Sequence, residues 1–342
     1  MKQRKSNLEL LRIVCMCGII FLHYMGEAGI IQTAVYPDFS WFYRQTVYSF
    51  CVPAVNCFVL VSGYFLVERN VFSLRKPVEY FILTVFYGSI GYVIGLIRGS
   101  AQPGIVEFLK EAIPFVVGNR WFVETYIILL LISPFVGKML RSLKREHYQI
   151  LLIVQLSLFS VWYSIGLSAP VLDNGYGITN FLSLYMIGGY IRLHGSAHRW
   201  CKWRKRTYAA AYLGSALFTF VLSYFMNPFG YAFFTNIISA VAAFLLFLNW
   251  EIGTKTWINR ISAATFDEFF VHSDRFIAGV VYAVLGLHTV SGTPWMIPHM
   301  LLALIVMWGL GYFACIIRRK LFGATIDKLL ARVKFVNYSA EI

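Results

Sequence analysis

Ten stretches of mainly apolar residues follow one another along this chain, near 7–25, 47–66, 78–97, 121–139, 148–167, 177–193, 208–226, 230–249, 262–287 and 296–317. A helix needs about 20 apolar residues to cross the hydrocarbon core of a bilayer. In lipid the backbone must satisfy its own polar groups, which such runs do by forming helices. The 342 residues are 58% hydrophobic and 13% charged, against roughly 45–50% apolar in a soluble domain. The expected fold class is therefore all-α: a polytopic membrane protein with about ten transmembrane helices, forming one membrane-embedded domain over residues 1–342.

The formal net charge is +14. In a soluble chain this would suggest a nucleic-acid partner, but here Lys and Arg cluster between the apolar runs, where cytoplasmic loops collect positive charge. With the N-terminus inside, 24 of the 30 Lys and Arg fall in inner segments. These are Lys2, Arg4 and Lys5; Arg69, Arg75 and Lys76; Lys138 to Arg145; Arg192 to Arg206; Lys255 and Arg260; and Arg318 to Lys334. Outer loops hold only Arg44, Arg98, Lys110 and Arg120, and Arg12 and Arg275 lie within spans. Both termini are thus expected in the cytoplasm, with the bilayer as the main partner and no nucleic acid.

The first run has no small-residue cleavage site and reads as a span, not a leader. The six cysteines form no CxxC pair and read as small hydrophobes; no metal is expected. The outer loops near 26–46, 98–120 and 168–176 are too short for a separate domain. In the tail, 321–342, basic residues alternate with Leu, Val and Phe, as in an interfacial amphipathic segment.

A charge at mid-membrane costs about 2.5–3.5 kcal/mol on insertion scales, so each one calls for a reason. The first span holds Glu9, Arg12 and His23. Eleven positions advance about 1100°, about 20° past three turns, so Arg12 and His23 share a face and stand ~16 Å apart along the axis. Glu9, one turn below Arg12, can pair with it. Either Arg12 snorkels to the inner interface and His23 lies at the outer one, or the face carries an anion site below and a general base above. In the second span Asn56 points to a polar cavity, while Ser62 and Gly63 suit close helix packing. Trp121 and Tyr126 fit an aromatic belt, with Glu124 at the outer interface or in a site. The ninth span is the most polar. Its Glu268, His272 and Arg275, spaced four and three apart, share a face as an ion-pair stripe or as the second wall of an active cavity. GxSxG, HExxH, P-loop and DxD patterns are absent, which removes the common soluble hydrolase, zinc-protease and nucleotide-hydrolase classes.

These residues resemble the acyltransferase family 3 membrane proteins. Leu8-Glu9-Leu10-Leu11-Arg12, then ten residues and His23, resembles the family's LDxLR start and R-x10-H motif. Asn56 to Tyr64 resembles its D/N-x-F-x-x-x-S-G-F/Y string. Trp121-Phe122 through Tyr126 to Ser133-Pro134 resembles its WF-x(3)-Y…SP segment. Leu184 to Arg192 resembles its YliGgyiR span end, and Thr265-Phe266 to His272 its TF-x(5)-H span. Asp267 and Glu268 depart from the small or apolar residues usual there.

The resemblance implies ten membrane helices in a cell membrane, such as a bacterial cytoplasmic membrane, and an acyl-CoA donor, usually acetyl-CoA. It implies a hydroxyl acceptor on a cell-surface or lipid-linked carbohydrate, with His23 and Arg12 as the essential pair. Glu9, Asn56, Ser62, Trp121, Tyr126, Glu268, His272 and Arg275 are the further candidates for substrate binding. The competing readings are a transporter or flippase of a glycan or lipid-linked sugar, and a nonenzymatic sensor or assembly factor. A transporter would be expected to show broken helices and repeat symmetry, neither of which the sequence displays clearly.

Overall fold

Helical segments occupy each expected stretch in the computed structural model, which describes residues 6–117, 120–167, 173–333 and 335–337. Lys2, Arg4, Lys5, Lys334, loop positions 168–172 and the tail end 338–342 lie outside the described residues. The principal helices are α1 (Ser6–Glu27), α2 (Phe39–Leu66), α3 (Arg75–Ile97), α4 (Trp121–Ser142), α5 (145–164), α6 (Ile178–His194), α7 (Lys205–Leu222), α8 (Phe234–Leu248), α9 (Thr265–Ser273), α10 (Arg275–Val284) and α11 (Met296–Ala331). Five of them, α1, α2, α3, α4 and α11, are long and apolar enough to cross a membrane; α8 and α10 are shorter apolar helices. Their outer faces are apolar and uncovered, as at Leu301, Ile305 and Phe313 of α11. Lipid removes the cost that water would impose on such a surface.

α1 is the central helix. It packs against α2, α8, α9, α11 and the short helix Thr256–Ser262. Its foot is fixed by Ser6, which donates to Asn259 Oδ1 (2.9 Å) and accepts from the Lys255 backbone (2.7 Å). α2 and α6 approach most closely. A Cβ on Gly63 would collide with the Tyr185 carbonyl, and one on Gly188 with the Leu60 carbonyl. The Ser-Gly and Gly-Gly strings therefore serve backbone-to-backbone packing, the use small residues have in membranes.

In α4, Pro134 has no N–H for the Leu130 carbonyl. The Ser133 hydroxyl donates to that carbonyl instead (3.1 Å), and the Ser133 carbonyl accepts from Tyr185 Oη (3.0 Å). The helix continues through the proline.

One expectation is corrected. The stretch 262–287 is not one helix. α9 ends at Ser273, and Asp274 takes an extended conformation (φ −78°, ψ 120°) from which its carboxylate accepts the Phe276 and Ile277 N–H groups. An Asp at N-cap satisfies the free donors of a new helix, so α10 starts at Arg275 and the four-and-three spacing does not continue across the break. Arg275 consequently leaves the face of Glu268 and His272. Its side chain is 66% exposed, pairs with Glu111, and lies over the Phe276 ring at 4.6 Å.

The tail begins as a continuation of the last helix. α11 runs unbroken for 36 residues to Ala331. That is ~54 Å at 1.5 Å per residue, longer than the ~30 Å core. Beyond it, β2 (Phe335–Asn337) pairs antiparallel with β1 (Val71–Ser73), the only strand pairing among the described residues.

A glycine stripe on α3 admits the broken helix. A Cβ on Gly91 would overlap the Asp274 carboxylate, and one on Gly95 would reach the Phe276 ring at 2.7 Å. Gly91→Ala is expected to cost about 1–3 kcal/mol through overpacking. Gly279→Ala on α10, where nothing lies within 4 Å, should cost little. Thermal melts of the two purified variants in detergent check this.

Candidate active site

Two chambers lie at different levels of α1, one reached by His23 and the other by Arg12. His23 is half-buried and lines a cavity of about 150 Å³ with Arg120, Trp121, Phe122, Tyr231, Phe269 and Ser273 among its walls. Trp121 stacks on Tyr231 with ring centroids 5.3 Å apart and 29° between planes, and Tyr176 meets Trp121 edge-on at 4.6 Å. Such a paired aromatic floor suits a flat, partly apolar ligand face.

Behind His23 stands His272, with ring centroids 4.8 Å apart. His272 Nδ1 lies 2.9 Å from Glu268 Oε1 and 3.1 Å from the Glu268 carbonyl. The backbone carbonyl can only accept, so Nδ1 is the donor. Nε2 is buried without a partner among the described residues. Glu268 is completely buried, and α11 closes over it at Gly311, where a Cβ would sit 2.5 Å from the Glu268 Cα.

Arg12 lines the second chamber, of about 390 Å³, with Ser62, Tyr126, Asp267, Arg318 and Arg319 among its walls. Its guanidinium pairs with Glu9 at 3.2 Å, as the spacing predicts. Glu9 also accepts from Ser262. Ser62 Oγ and Tyr126 Oη are hydrogen-bonded at 2.8 Å. Asp267 is held by Arg318 (2.5 and 3.0 Å) and by the Tyr87 hydroxyl (2.8 Å). A wider cleft of about 640 Å³ shares Lys76, Glu79, Arg318 and Arg319 with this chamber and adds Arg75 and Asp327. Five cations, Arg12, Arg69, Lys76, Arg318 and Arg319, face the chamber against two carboxylates. Both carboxylates are already paired, Glu79 with Lys76 and Asp267 with Arg318, and Arg12 pairs with Glu9, which leaves Arg69 and Arg319 without a carboxylate among the described residues. The surplus is positive, and this end of the protein is suited to an anion.

An aromatic layer separates the chambers. Phe58 belongs to the Arg12 side, and Phe122 and Phe269 to the His23 side. Phe122 packs against Phe58 (6.4 Å), Phe269 (5.5 Å) and Tyr126 (5.9 Å, nearly parallel).

The residues singled out from sequence are therefore distributed over two sites. Trp121 joins His23, with His272 and Glu268 behind it, while Ser62 and Tyr126 join Arg12 and Glu9. Asn56 faces neither chamber, a correction to the cavity expected there. Its amide donates to the Tyr231 carbonyl (2.8 Å) and accepts from Asn180 (3.4 Å), so it ties a wall residue in place. Glu124 accepts from the Phe115 backbone (2.9 Å) and organises the loop before α4. Arg275, as described, is outside both sites. Sequence reasoning missed Tyr231, Ser273 and Arg318 as lining residues, and took Arg120 only as a loop charge. The signal for Arg120 was its place directly before Trp121-Phe122. For Arg318 it was a complementary buried acid, Asp267, which no local spacing connects to it.

A multi-pass helical membrane protein with a basic chamber and a histidine-bearing chamber on one central helix defines the class. A family model described as an acyltransferase domain matches residues 5–317, and the chain belongs to acyltransferase family 3. It is an acyltransferase. No curated protein and no solved structure matches it.

Proposed function

We propose that this enzyme moves an acyl group, most simply acetyl from acetyl-CoA, to a hydroxyl of a cell-surface or lipid-linked carbohydrate, with donor and acceptor approaching from opposite faces of the membrane. The observation that supports this reading best is the separation of the two chambers along α1: surplus cations surround Arg12, whereas His23 faces a stacked aromatic pair. The charge bias of the loops puts the Arg12 end in the cytoplasm, where acyl-CoA is made.

The phosphates of the donor fit the cleft bearing Arg75, Lys76 and Arg319, and Arg12 holds the arm that carries the thioester. The ~16 Å rise between Arg12 and His23 suits an extended arm, which passes the aromatic layer at Phe58 and Phe122. The acceptor sugar rests on Trp121 and Tyr231. His23 takes the hydroxyl proton as the oxygen bonds to the thioester carbonyl carbon. The carbonyl electron pair moves to its oxygen, then returns as the C–S bond breaks. The leaving thiolate takes the proton from His23, giving the ester and free CoA. Glu268 orients His272 behind His23. In a variant of the same chemistry His23 itself carries the acyl group between donor and acceptor.

Arg12→Ala is expected to raise the KM for acetyl-CoA by about 10- to 100-fold, the equivalent of one charged hydrogen-bonding contact, and to change kcat less than about threefold. Steady-state transfer from radiolabelled acetyl-CoA in membranes measures both. An unchanged KM would remove Arg12 from the donor site.

The transport reading gains one observation, the helix broken at Asp274, since transporters build sites at such breaks. Glycan movement that proceeds equally without acyl-CoA would favour it.

A further inference from the structure

Arg120 has a place in the His23 chamber that neither the sequence motifs nor the reading above assigns. It stands at the N-cap of α4, and Trp121 and Phe122, the first two residues of that helix, line the same cavity. The side chain is only 9% exposed. Nη2 donates to the Glu111 carbonyl (3.0 Å) and to Asp274 Oδ2 (2.9 Å). Nε is buried with no partner, and Nη1 has no hydrogen bond among the described residues. A buried guanidinium normally uses its donors, because leaving one unmade costs about 1–3 kcal/mol or more. Here Nε is a buried donor without a partner and Nη1 is open to solvent, on a residue at the edge of a chamber that also receives the positive end of a 22-residue helix.

The charge state narrows what these donors serve. Asp274 already neutralises Arg120, so the chamber offers directed N–H donors without a free cation. A permanently anionic acceptor group would call for uncompensated charge of the kind found in the Arg12 chamber. A charge that exists only briefly is better matched by fixed donors that need no reorganisation. The fixing is evident: the Arg120 guanidinium is clamped between Asp274 and the Glu111 carbonyl, and α3 glycines leave the room. A Cβ on Gly88 would come 3.0 Å from Arg120 Nη2, and one on Gly91 would displace Asp274.

We infer that Arg120, with the N-terminus of α4, is the oxyanion-stabilising residue of this enzyme. It receives the negative charge that forms on the thioester oxygen when the acceptor hydroxyl attacks and His23 takes the proton. The assignment rests on the acyl-transfer reading. It makes Arg120 a catalytic residue and Asp274 a positioning residue that holds it.

The test uses membranes containing the full chain and its endogenous acceptor, radiolabelled acetyl-CoA, and alkali-labile label as the product. Arg120→Gln is expected to lower kcat by about 100- to 1,000-fold, the effect of losing one oxyanion donor, with the KM for acetyl-CoA unchanged. Arg120→Lys should recover part of the loss. Asp274→Asn keeps the helix cap through its amide oxygen but puts an NH2 where Oδ2 accepted from Arg120 Nη2, so the guanidinium loses one side of its clamp; it should lower kcat by less than Arg120→Gln, with the KM for acetyl-CoA unchanged. Folded protein is quantified for every variant by size-exclusion chromatography. An active wild type with Arg120→Gln within about threefold of it overturns the inference alone. So does a loss that follows the amount of folded protein. A wild type that transfers no label overturns the acyl-transfer reading and the inference with it.

Discussion

His23→Ala is expected to lower acyl transfer by about 100- to 10,000-fold, the range of a positioned general base, while membrane insertion and protein level stay normal. The reason for the second half is structural. His23 is half-buried at the wall of a cavity, so truncation enlarges a space already present and leaves the interhelical contacts of α1 through Leu11, Ile20 and Met25 intact. His272→Ala removes the imidazole behind it and should produce a smaller loss. It also leaves Glu268 as a buried carboxylate without its histidine, so its effect on stability should be larger than that of His23→Ala. Transfer from labelled acetyl-CoA, compared with the thermal midpoint of the same preparations, separates the two. Equal rates for wild type and His23→Ala would end the proposed mechanism.

The second large effect concerns stability. Asp267→Ala leaves the Arg318 guanidinium, 10% exposed, without its carboxylate and removes the acceptor of the Tyr87 hydroxyl. Breaking one side of a buried pair typically costs about 3–5 kcal/mol, enough to consume much of the stability of an ordinary domain. The expected result is a sharply lower melting temperature and aggregation on detergent extraction. Asp267→Asn keeps the hydrogen-bond acceptor for both partners and should recover part of the loss. A melting temperature for Asp267→Ala equal to wild type would show that the pair contributes nothing to the packing of α9 on α11.

The fold class was legible because lipid imposes a simple rule on composition. A helix occurs at each apolar stretch, and the Glu9–Arg12 pair follows from helical periodicity alone. What escaped were features set by contacts across the chain. The break after Ser273 depends on a single side chain, Asp274, whose capping competes with continuation of the helix. A spacing argument through Glu268, His272 and Arg275 could not register that competition. Asn56 looked like a cavity residue because its cost in lipid demanded a partner, but the partners, the Tyr231 carbonyl and Asn180, lie 175 and 124 residues away. The length of α11 was underestimated because Arg318, Arg319 and Lys320 were read as the end of the span, although nothing in them stops a helix. Ser62 and Gly63, adjacent in the sequence, divide their work: Gly63 packs against the Tyr185 backbone while Ser62 turns to Tyr126 in the Arg12 chamber.

The shared face of Arg12 and His23 was legible too, but not what it means. One face of α1 meets two cavities because the aromatic layer of Phe58, Phe122, Tyr126 and Phe269 lies between them, and that layer is assembled from α2, α4 and α9. In the proposed function, donor and acceptor chemistry occupy one helix and remain apart until the arm of the donor passes between the rings.

The most direct test of this arrangement uses sealed inside-out membrane vesicles containing the protein, with the acceptor glycan enclosed and radiolabelled acetyl-CoA added only outside, on the former cytoplasmic face. The account predicts alkali-labile label on the enclosed glycan, protected from an added esterase until detergent opens the vesicles, and absent with His23→Ala. Label that forms only when acetyl-CoA is enclosed together with the glycan, or that appears only on the outer face, would contradict it.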